Sequence, residues 1–297
     1  MDNDESEILR KRRFILQNPS AHIEQLVEIE ARTFANANAV SASRTLLQNP
    51  YAHLDGDGRY SALSADIESG EKRRGIKNIE QLAIFVQRRL WKERFELWRD
   101  DAPTSPIDIL DPEKAAHLLG FQVKQEESLG VYRGQFGRVA VAGILDRDTN
   151  QIRISKEFPI TTQRFTAAHE IGHLMLHREM SVIHRDRALD GKKLSRDRVE
   201  FEADKFAVFF LLPEKVVRKE FENRFLTQNF QLNEGTAFAF GMKKLLNEIG
   251  EGRPLSRVLA TAIKFNGRFF RSLSETFKVT PETMAIRLEE LGLIQKA

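Results

Sequence analysis

The chain has 297 residues, with 46 basic and 43 acidic side chains and 41% hydrophobic residues. These values are typical of a soluble globular protein with room for two or three compact units. The charges nearly balance, so charge alone gives no reason to expect nucleic-acid binding, and the lack of cysteine excludes disulfides and thiolate metal sites. The acidic N-terminus lacks a signal-peptide profile and no apolar run could span a bilayer. We therefore expect a cytoplasmic protein without a membrane partner.

The first hundred residues are predicted to be mostly helical. Ser20 is suited to cap a helix over His22–Ala35, whereas Leu54–Gly75 is rich in glycine, serine and charge and is predicted to be a loop. Asn78 is suited to cap a long helix that ends near Trp98. Its apolar residues repeat at helical spacing and predict one buried stripe, made of Ile79, Leu82, Ala83, Val86 and Leu90.

A proline-containing segment, Ala102–Pro106, is predicted to be a linker. A helix over Pro112–Leu119 and then a β region follow, with strands at Phe121–Lys124, Val139–Leu145 and Ile152–Ser155. The last two strands flank the turn residues 146–150, which predicts a β-hairpin. If the last strand has a free edge, an extended peptide could pair with it by β-augmentation.

The pentapeptide His169-Glu170-Ile171-Gly172-His173 has the form HExxH and lies in an apolar frame that favours a helix. Histidines four residues apart share one helix face, where both imidazoles can bind the same metal ion. The glutamate between them is then placed to act as a base on a water molecule that the metal activates. The alternative is a surface helix with a charged histidine and glutamate patch.

A catalytic zinc ion normally takes three protein ligands. His177 lies eight residues after His169, about 12 Å along a continuous helix, so it is too far away to share the ion with both other histidines. We expect His177 to contact a ligand from outside the coordination sphere or to line the rim of the pocket. Simple packing of this histidine is an equal alternative.

The predicted third ligand is Glu200. Glu200 and Asp204 are four residues apart and share a helix face, where two like charges repel unless a positive group lies against them. Zinc and its histidines would supply that positive group. Asp204 would then accept a hydrogen bond from the distal nitrogen of a ligand histidine. Glu202 is the rival ligand, but it lacks an acidic partner four residues further on.

After Pro213 the chain is predicted to be helical again. Thr280-Pro281-Glu282 is a strong helix start, and Met284, Ala285, Leu288 and Leu291 form the apolar face of the helix. Together with Leu273–Val279, this helix predicts a small unit of the helix-turn-helix type. We expect it to serve packing or protein docking, with DNA contact as the lesser alternative.

The two motifs together resemble the ImmA/IrrE family of metallo-endopeptidases. The resemblance rests on residues 164–177 around the HExxH motif and on residues 200–207 followed by Leu211-Leu212-Pro213. The family commonly has asparagine where this chain has Asp204, and often methionine where it has Leu212. The resemblance is strong over residues 104–225 and weak in the C-terminal tail, and it leaves out the first hundred residues.

The resemblance implies an α+β, predominantly helical fold with a zincin-like minimal peptidase core, formed by a small β-sheet and the active-site helices. We expect an N-terminal helical region at residues 1–101, a zinc metallopeptidase domain at 104–225 and a C-terminal helical domain at 226–297. The family also implies a particular substrate, a helix-turn-helix repressor that is cut once to relieve repression. Stress response and the control of mobile elements are typical settings.

The predicted mechanism is metal-assisted hydrolysis of a peptide bond with one Zn²⁺ ion. His169, His173 and Glu200 are the predicted ligands, Glu170 is the predicted base, and Asp204 and His177 are the predicted supporting residues. His177, His184 and Tyr132 are candidates for the oxyanion partner by residue type alone. The alternatives are a non-catalytic regulator that uses the zinc fold to bind a repressor or DNA, and a toxin–antitoxin component whose metal serves only stability. Glu170 favours an enzyme, because a structural site needs no base.

Overall fold

A computed structural model of the protein describes residues 76–134, 137–177, 183–187, 198–241 and 253–295. The helix predicted over His22–Ala35 and the loop predicted over Leu54–Gly75 lie outside the described residues. So does most of the predicted N-terminal region.

Two helices, α1 (Ile76–Lys92) and α2 (Arg94–Trp98), take the place of the single helix predicted here. The chain leaves helical geometry at Glu93, and a 3₁₀ turn follows at Arg99–Asp101. The predicted apolar stripe of α1 is confirmed, since all five of its residues are buried. The predicted start at Asn78 is wrong, because the helix is already formed at Ile76.

Helix α3 (Pro112–Leu118) confirms the helix predicted in this part of the chain. Asp111 caps it by accepting hydrogen bonds from the backbone N–H groups of Glu113 and Lys114, and Pro112 occupies the first turn, where no N–H is required. Ile109 and Leu110, just before the cap, are buried, so the chain that follows the predicted linker is packed against the core.

The main sheet has five strands: β1 (Gln122–Glu126), β2 (Val131–Gly134), β3 (Gly137–Asp146), β4 (Gln151–Ser155) and β5 (Ile183–Arg187). Strand β3 pairs antiparallel with β4, which confirms the predicted hairpin. The turn is held by the carboxylate of Asp146, which accepts hydrogen bonds from the backbone of Asp148 and Thr149 at 3.1 Å. The backbone hydrogen bond from Thr149 is the main cause of the lowered pKa of Asp146.

The strand before the metal-motif helix does not have the free edge that β-augmentation would need. Strand β4 pairs with β3 on one side and in parallel with β1 on the other, so both of its edges are filled. Strand β3 is also filled, because β5 pairs antiparallel with its residues 141–146 opposite β4. The condition under which an extended peptide could pair with β4 is therefore not met.

After β4 the described residues form the helices α4 (Ile160–Leu176), which precedes β5, and α5 (Arg198–Leu211) and α6 (Glu214–Phe225), which follow it. Helix α4 packs against β3, β4 and α5, so residues 166–173 are buried without interruption. Helix α1 covers α5 as well. The Gln87 amide, which is buried, donates hydrogen bonds to the backbone oxygens of Phe209 and Phe210, both at 2.9 Å. These oxygens lie in the last turn of α5, where no helical N–H can reach them.

The remaining elements are α7 (Glu234–Ala239), α8 (Arg253–Thr261), the hairpin of β6 (Lys264–Phe265) and β7 (Arg268–Phe269), α9 (Leu273–Phe277) and α10 (Pro281–Glu290). Thr280 caps α10 and Pro281 begins it, as predicted, and its apolar face is buried. A cluster of aromatic rings fills the core between these elements, with neighbouring centroids 4.8 to 6.2 Å apart; its members are Phe221, Phe225, Phe230, Phe240, Phe265 and Phe270.

The architecture confirms the predicted fold class, an α+β and predominantly helical protein with a zincin-like core of a small sheet and active-site helices. The division into three domains stays a prediction. Within the described ranges, no helix combines the length and apolar character that a membrane span requires.

Candidate metal centre

Helix α4 carries His169, Glu170 and His173 into the interior of the protein. Their exposed fractions are 2%, 0% and 0%. Burying three polar side chains together is unfavourable unless each has a partner or a metal ion to satisfy it. The two histidines lie on one face of the helix, and their Nε2 atoms are 2.8 Å apart. This buried arrangement excludes the alternative of an exposed charged patch.

Helix α5 brings the acidic residues to these histidines. The two helices touch at Gly172, where an added Cβ would lie 2.9 Å from both Cα and the backbone oxygen of Ala203. A side chain at position 172 would therefore push α5 away, and only glycine permits this close approach. The approach places Glu200, on the first turn of α5, beside both histidines.

Together, His169, His173 and Glu200 form a cluster of three possible metal ligands. The carboxylate oxygens of Glu200 lie 3.4 Å from Nε2 of His169 and 3.7 Å from Nε2 of His173. Ligands at zinc distances of about 2.0–2.1 Å in a tetrahedral arrangement are about 3.3 Å apart, so the three separations in the cluster scatter around the required value. Two imidazoles and a carboxylate also form a donor set that zinc commonly takes in catalytic sites.

Asp204 contacts the ring of His169 at its Nδ1 atom. Its Oδ1 lies 2.9 Å from Nδ1 of His169, and the aspartate is itself buried. A histidine that binds a metal through Nε2 carries its proton on Nδ1, so this nitrogen donates to the carboxylate. The structure thus places Asp204 where the sequence predicted a supporting residue, one turn after Glu200.

His177 ends helix α4 and contacts the other histidine. Its Nδ1 is 3.1 Å from Nδ1 of His173, and its Nε2 is 3.2 Å from Oε2 of Glu202. His177 therefore lies behind His173 and outside the cluster, and Glu202, the rival ligand, lies with it. Burial lowers the pKa of His177, against the opposite effect of Glu202. The pKa of Glu202 is also lowered: burial acts to raise it, but hydrogen bonds from Arg198 and His177 outweigh that effect.

Sequence reasoning missed Gly143, which lies on β3 directly beneath the predicted base. A Cβ at this position would lie 2.7 Å from Oε1 of Glu170 and 2.6 Å from Cγ2 of Thr166. The missing side chain therefore leaves the space that the Glu170 carboxylate occupies. A glycine inside an apolar strand often marks a place where another part of the chain approaches the backbone closely. Gly143, inside the strand predicted at Val139–Leu145, carries this signal.

Arg147 was also missed. It follows β3 in the hairpin turn, and its Nη2 donates hydrogen bonds to the backbone oxygens of His173 and His177 at 3.0 and 2.9 Å. It thereby ties the C-terminal end of α4, whose carbonyl groups carry the negative end of the helix dipole, to the sheet. Burial lowers the pKa of Arg147, while the charge of Glu170 acts to raise it. Nothing in the local sequence around Arg147 indicates this long-range contact.

The two other candidates for an oxyanion partner lie on strands of the main sheet. Tyr132 is on β2 and its backbone pairs with that of Val139, whereas His184 is on β5 and pairs with Leu145. Both strands pair with β3, which also carries Gly143.

Comparison with known proteins gives a family match for the middle of the chain. Residues 126–234 match the family model described as the IrrE N-terminal-like domain, a model of peptidase family M78. The matched segment includes the HExxH motif, Glu200 and Asp204, and it covers rather more than a third of the chain. No curated protein and no solved structure matches the chain significantly.

Proposed function

We propose that this chain, whose residues 126–234 match the IrrE N-terminal-like domain, is a zinc-dependent endopeptidase that cleaves a regulatory protein of the helix-turn-helix repressor type. The observation that carries the enzymatic part is the cluster of His169, His173 and Glu200, which lies next to the buried carboxylate of Glu170 on the same helix. The repressor as substrate rests on the family resemblance.

His169, His173 and Glu200 would hold the zinc ion, with Asp204 orienting His169. When bound, zinc would supply a Lewis acid that polarises the scissile carbonyl group and makes water more acidic. Glu170 accepts the proton of the attacking water and later delivers it to the nitrogen of the leaving amine. Gly143 and the buried surroundings of Glu170 hold this carboxylate in position, so its proton transfers need little rearrangement.

The test is Glu170→Gln, which keeps the size and hydrogen-bonding capacity of the side chain but removes the base. We expect this variant to bind zinc as the unmodified chain does and to lose at least about a hundredfold in cleavage rate, since a general base contributes about 10²–10⁴-fold. Zinc content by metal analysis and cleavage of helix-turn-helix repressor proteins measure the two properties. Undiminished cleavage by the variant would overturn the assignment of Glu170.

A structural-metal role is separated from catalysis by removing the ion. If zinc served only stability, a chelator would unfold the chain, and the zinc-loaded chain would cleave no helix-turn-helix protein. Under the proposed function, the zinc-loaded chain cleaves its substrate, and adding a chelator stops cleavage.

The tail of the chain favours docking on protein over DNA contact. The acidic residues of α10 meet basic residues of the same chain: Glu282 pairs with Arg253 and Arg257, and Glu290 with Lys205 on α5. A helix that reads DNA instead presents basic and amide side chains to the phosphates and base edges. We propose that DNA is not a partner of this helix and that the chain acts in the cytoplasm.

A further inference from the structure

A row of four side chains leads from the surface to one histidine of the metal cluster. Arg198 donates from Nε to Oε1 of Glu202 at 2.7 Å, Glu202 Oε2 lies 3.2 Å from His177, and His177 lies 3.1 Å from His173. The side chains of His177 and Glu202 are only 9% and 13% exposed, whereas that of Arg198 is 66% exposed. Water therefore has little access to the inner two links.

The hydrogen bonds of this row can be satisfied in only one proton arrangement when His173 binds a metal through Nε2. Nδ1 of His173 then carries a proton and must donate it, so Nδ1 of His177 must accept. A neutral imidazole with an accepting Nδ1 carries its proton on Nε2, and this proton is donated to Glu202. The carboxylate can accept it because it is an acceptor on both oxygens when ionised.

The backbone of His177 is held as firmly as its ring. His177 is the residue at which α4 ends, and its backbone oxygen accepts a hydrogen bond from Arg147 at 2.9 Å. The same arginine nitrogen binds the backbone oxygen of His173. The positions of the two residues relative to each other are thus fixed by the helix, by Arg147 and by Glu202.

We propose that His177 is a positioning residue that orients His173 for metal binding, in the way that Asp204 orients His169, and that Glu202 selects the tautomer in which Nδ1 of His177 can accept. The inference rests on the proposed zinc site and is independent of the proposed substrate. It gives each ligand histidine an acceptor for its Nδ1 proton: a carboxylate for His169, and an imidazole backed by a carboxylate for His173. His177 and Glu202 lie outside the group of possible metal ligands.

The test compares two substitutions of His177 in the full chain. Asparagine keeps an acceptor oxygen near the position of Nδ1, whereas leucine has similar bulk and no acceptor. Zinc affinity is measured by competition with a chromogenic chelator. We expect His177→Leu to weaken zinc binding by about 10–100-fold, the usual effect of removing an orienting partner, and His177→Asn to stay within a few-fold of the unmodified chain.

A spectroscopic measurement reports the hydrogen bond itself. In the zinc-loaded chain, the Nδ1 proton of His173 is protected from exchange and should give a resolved imidazole N–H resonance in a ¹⁵N-edited spectrum. We expect this resonance to remain in His177→Asn and to be lost by exchange with water in His177→Leu. Thermal unfolding of the metal-free variants accounts for any general loss of stability.

The outcomes separate this inference from the proposed function. Equal zinc affinity in His177→Leu and the unmodified chain would overturn the inference and leave the metallopeptidase intact. Equally weak binding by the leucine and asparagine variants would also overturn it, because the acceptor would then be irrelevant. Failure of the unmodified chain to bind zinc would overturn the metal centre itself.

Discussion

The carboxylate of Glu170 lies against the backbone of the sheet at Gly143. A general base must be placed accurately relative to its substrate, so the space at Gly143 bears on the role predicted for Glu170. The strand can approach so closely only because Gly143 has no Cβ. Its conservative replacement is therefore expected to act on the base directly.

Gly143→Ala is predicted to reduce both stability and activity. The new methyl group would meet Glu170 and Thr166 at less than van der Waals distance, and such overpacking costs about 1–3 kcal/mol of unfolding free energy. Thermal or urea unfolding measures the stability, and kcat measures the displacement of the base.

The double variant Gly143→Ala with Thr166→Ser provides the control. Serine lacks the Cγ2 methyl group that meets the new Cβ, so part of the stability should return. The contact with Glu170 remains, so kcat should stay low. Normal kcat in the single variant would show that the glycine does not constrain the base.

At the level of the helices and strands, the candidate metal centre depends on an element outside the family match. Gln87 on α1 supplies two donors to the last turn of α5, the helix that carries Glu200. Helix ends that are buried without such partners are unstable, because their carbonyl groups lose hydrogen bonds to water and form none within the protein. Helix α1 thus holds the far end of the helix that carries Glu200.

Gln87→Leu is predicted to destabilise the protein by about 1–3 kcal/mol, since two buried carbonyl groups would lose their donor. Gln81→Leu on the exposed side of the same helix is the matched control and should change stability little. Urea unfolding at constant zinc concentration compares the two. Similar effects of both substitutions would assign the loss to helix propensity or surface chemistry, and not to the carbonyl groups of α5.

The elements that the sequence predicts well are those with a local signal. The buried stripe of α1, the helix start at Thr280 and the β3–β4 hairpin follow from helical spacing, capping residues and turn residues, and the structure confirms them. The cluster of His169, His173 and Glu200 was likewise chosen from helical spacing, and the three residues lie together, while their role as ligands stays a prediction.

The features that the sequence did not predict arise from contacts across the fold. Strands β2 and β5 are short and rich in polar residues, and they are defined by their pairing with β3 and not by their own pattern. The contact of Arg147 with α4 spans 26 residues and that of Gln87 with α5 spans more than 120. The periodicity of a short segment carries no information about contacts between residues so far apart in the sequence.

For the whole molecule, the segment that matches the peptidase family is smaller than the physical unit that supports the site. The match begins at the last residue of β1, so most of this strand, which pairs with β4, lies outside it. Helices α1 and α10 also lie outside. Arg287 of α10 is buried and donates a hydrogen bond to the backbone oxygen of Leu212, just after α5.

A fragment limited to residues 126–234 is therefore predicted not to fold. It would expose the faces of α5 and β4 that α1, α10 and β1 cover, and the net stability of a domain, about 5–15 kcal/mol, is too small to absorb that loss. Circular dichroism and zinc content of this fragment, compared with those of residues 76–297 and the full chain, test the point. Cooperative melting of the short fragment near the Tm of the full chain would contradict it.

The glycine at the crossing of α4 and α5 has a consequence for the choice of ion. Two of the predicted ligands come from α4 and one from α5, so the separation of the helices would determine how large an ion the three atoms can surround. That separation is set where Gly172 meets the backbone of Ala203. Zinc needs ligands at about 2.0–2.1 Å, whereas calcium needs more oxygen ligands at about 2.3–2.6 Å. If the three residues bind an ion as predicted, the ionic radius that the site accepts depends in part on Gly172, a residue outside the predicted ligand set.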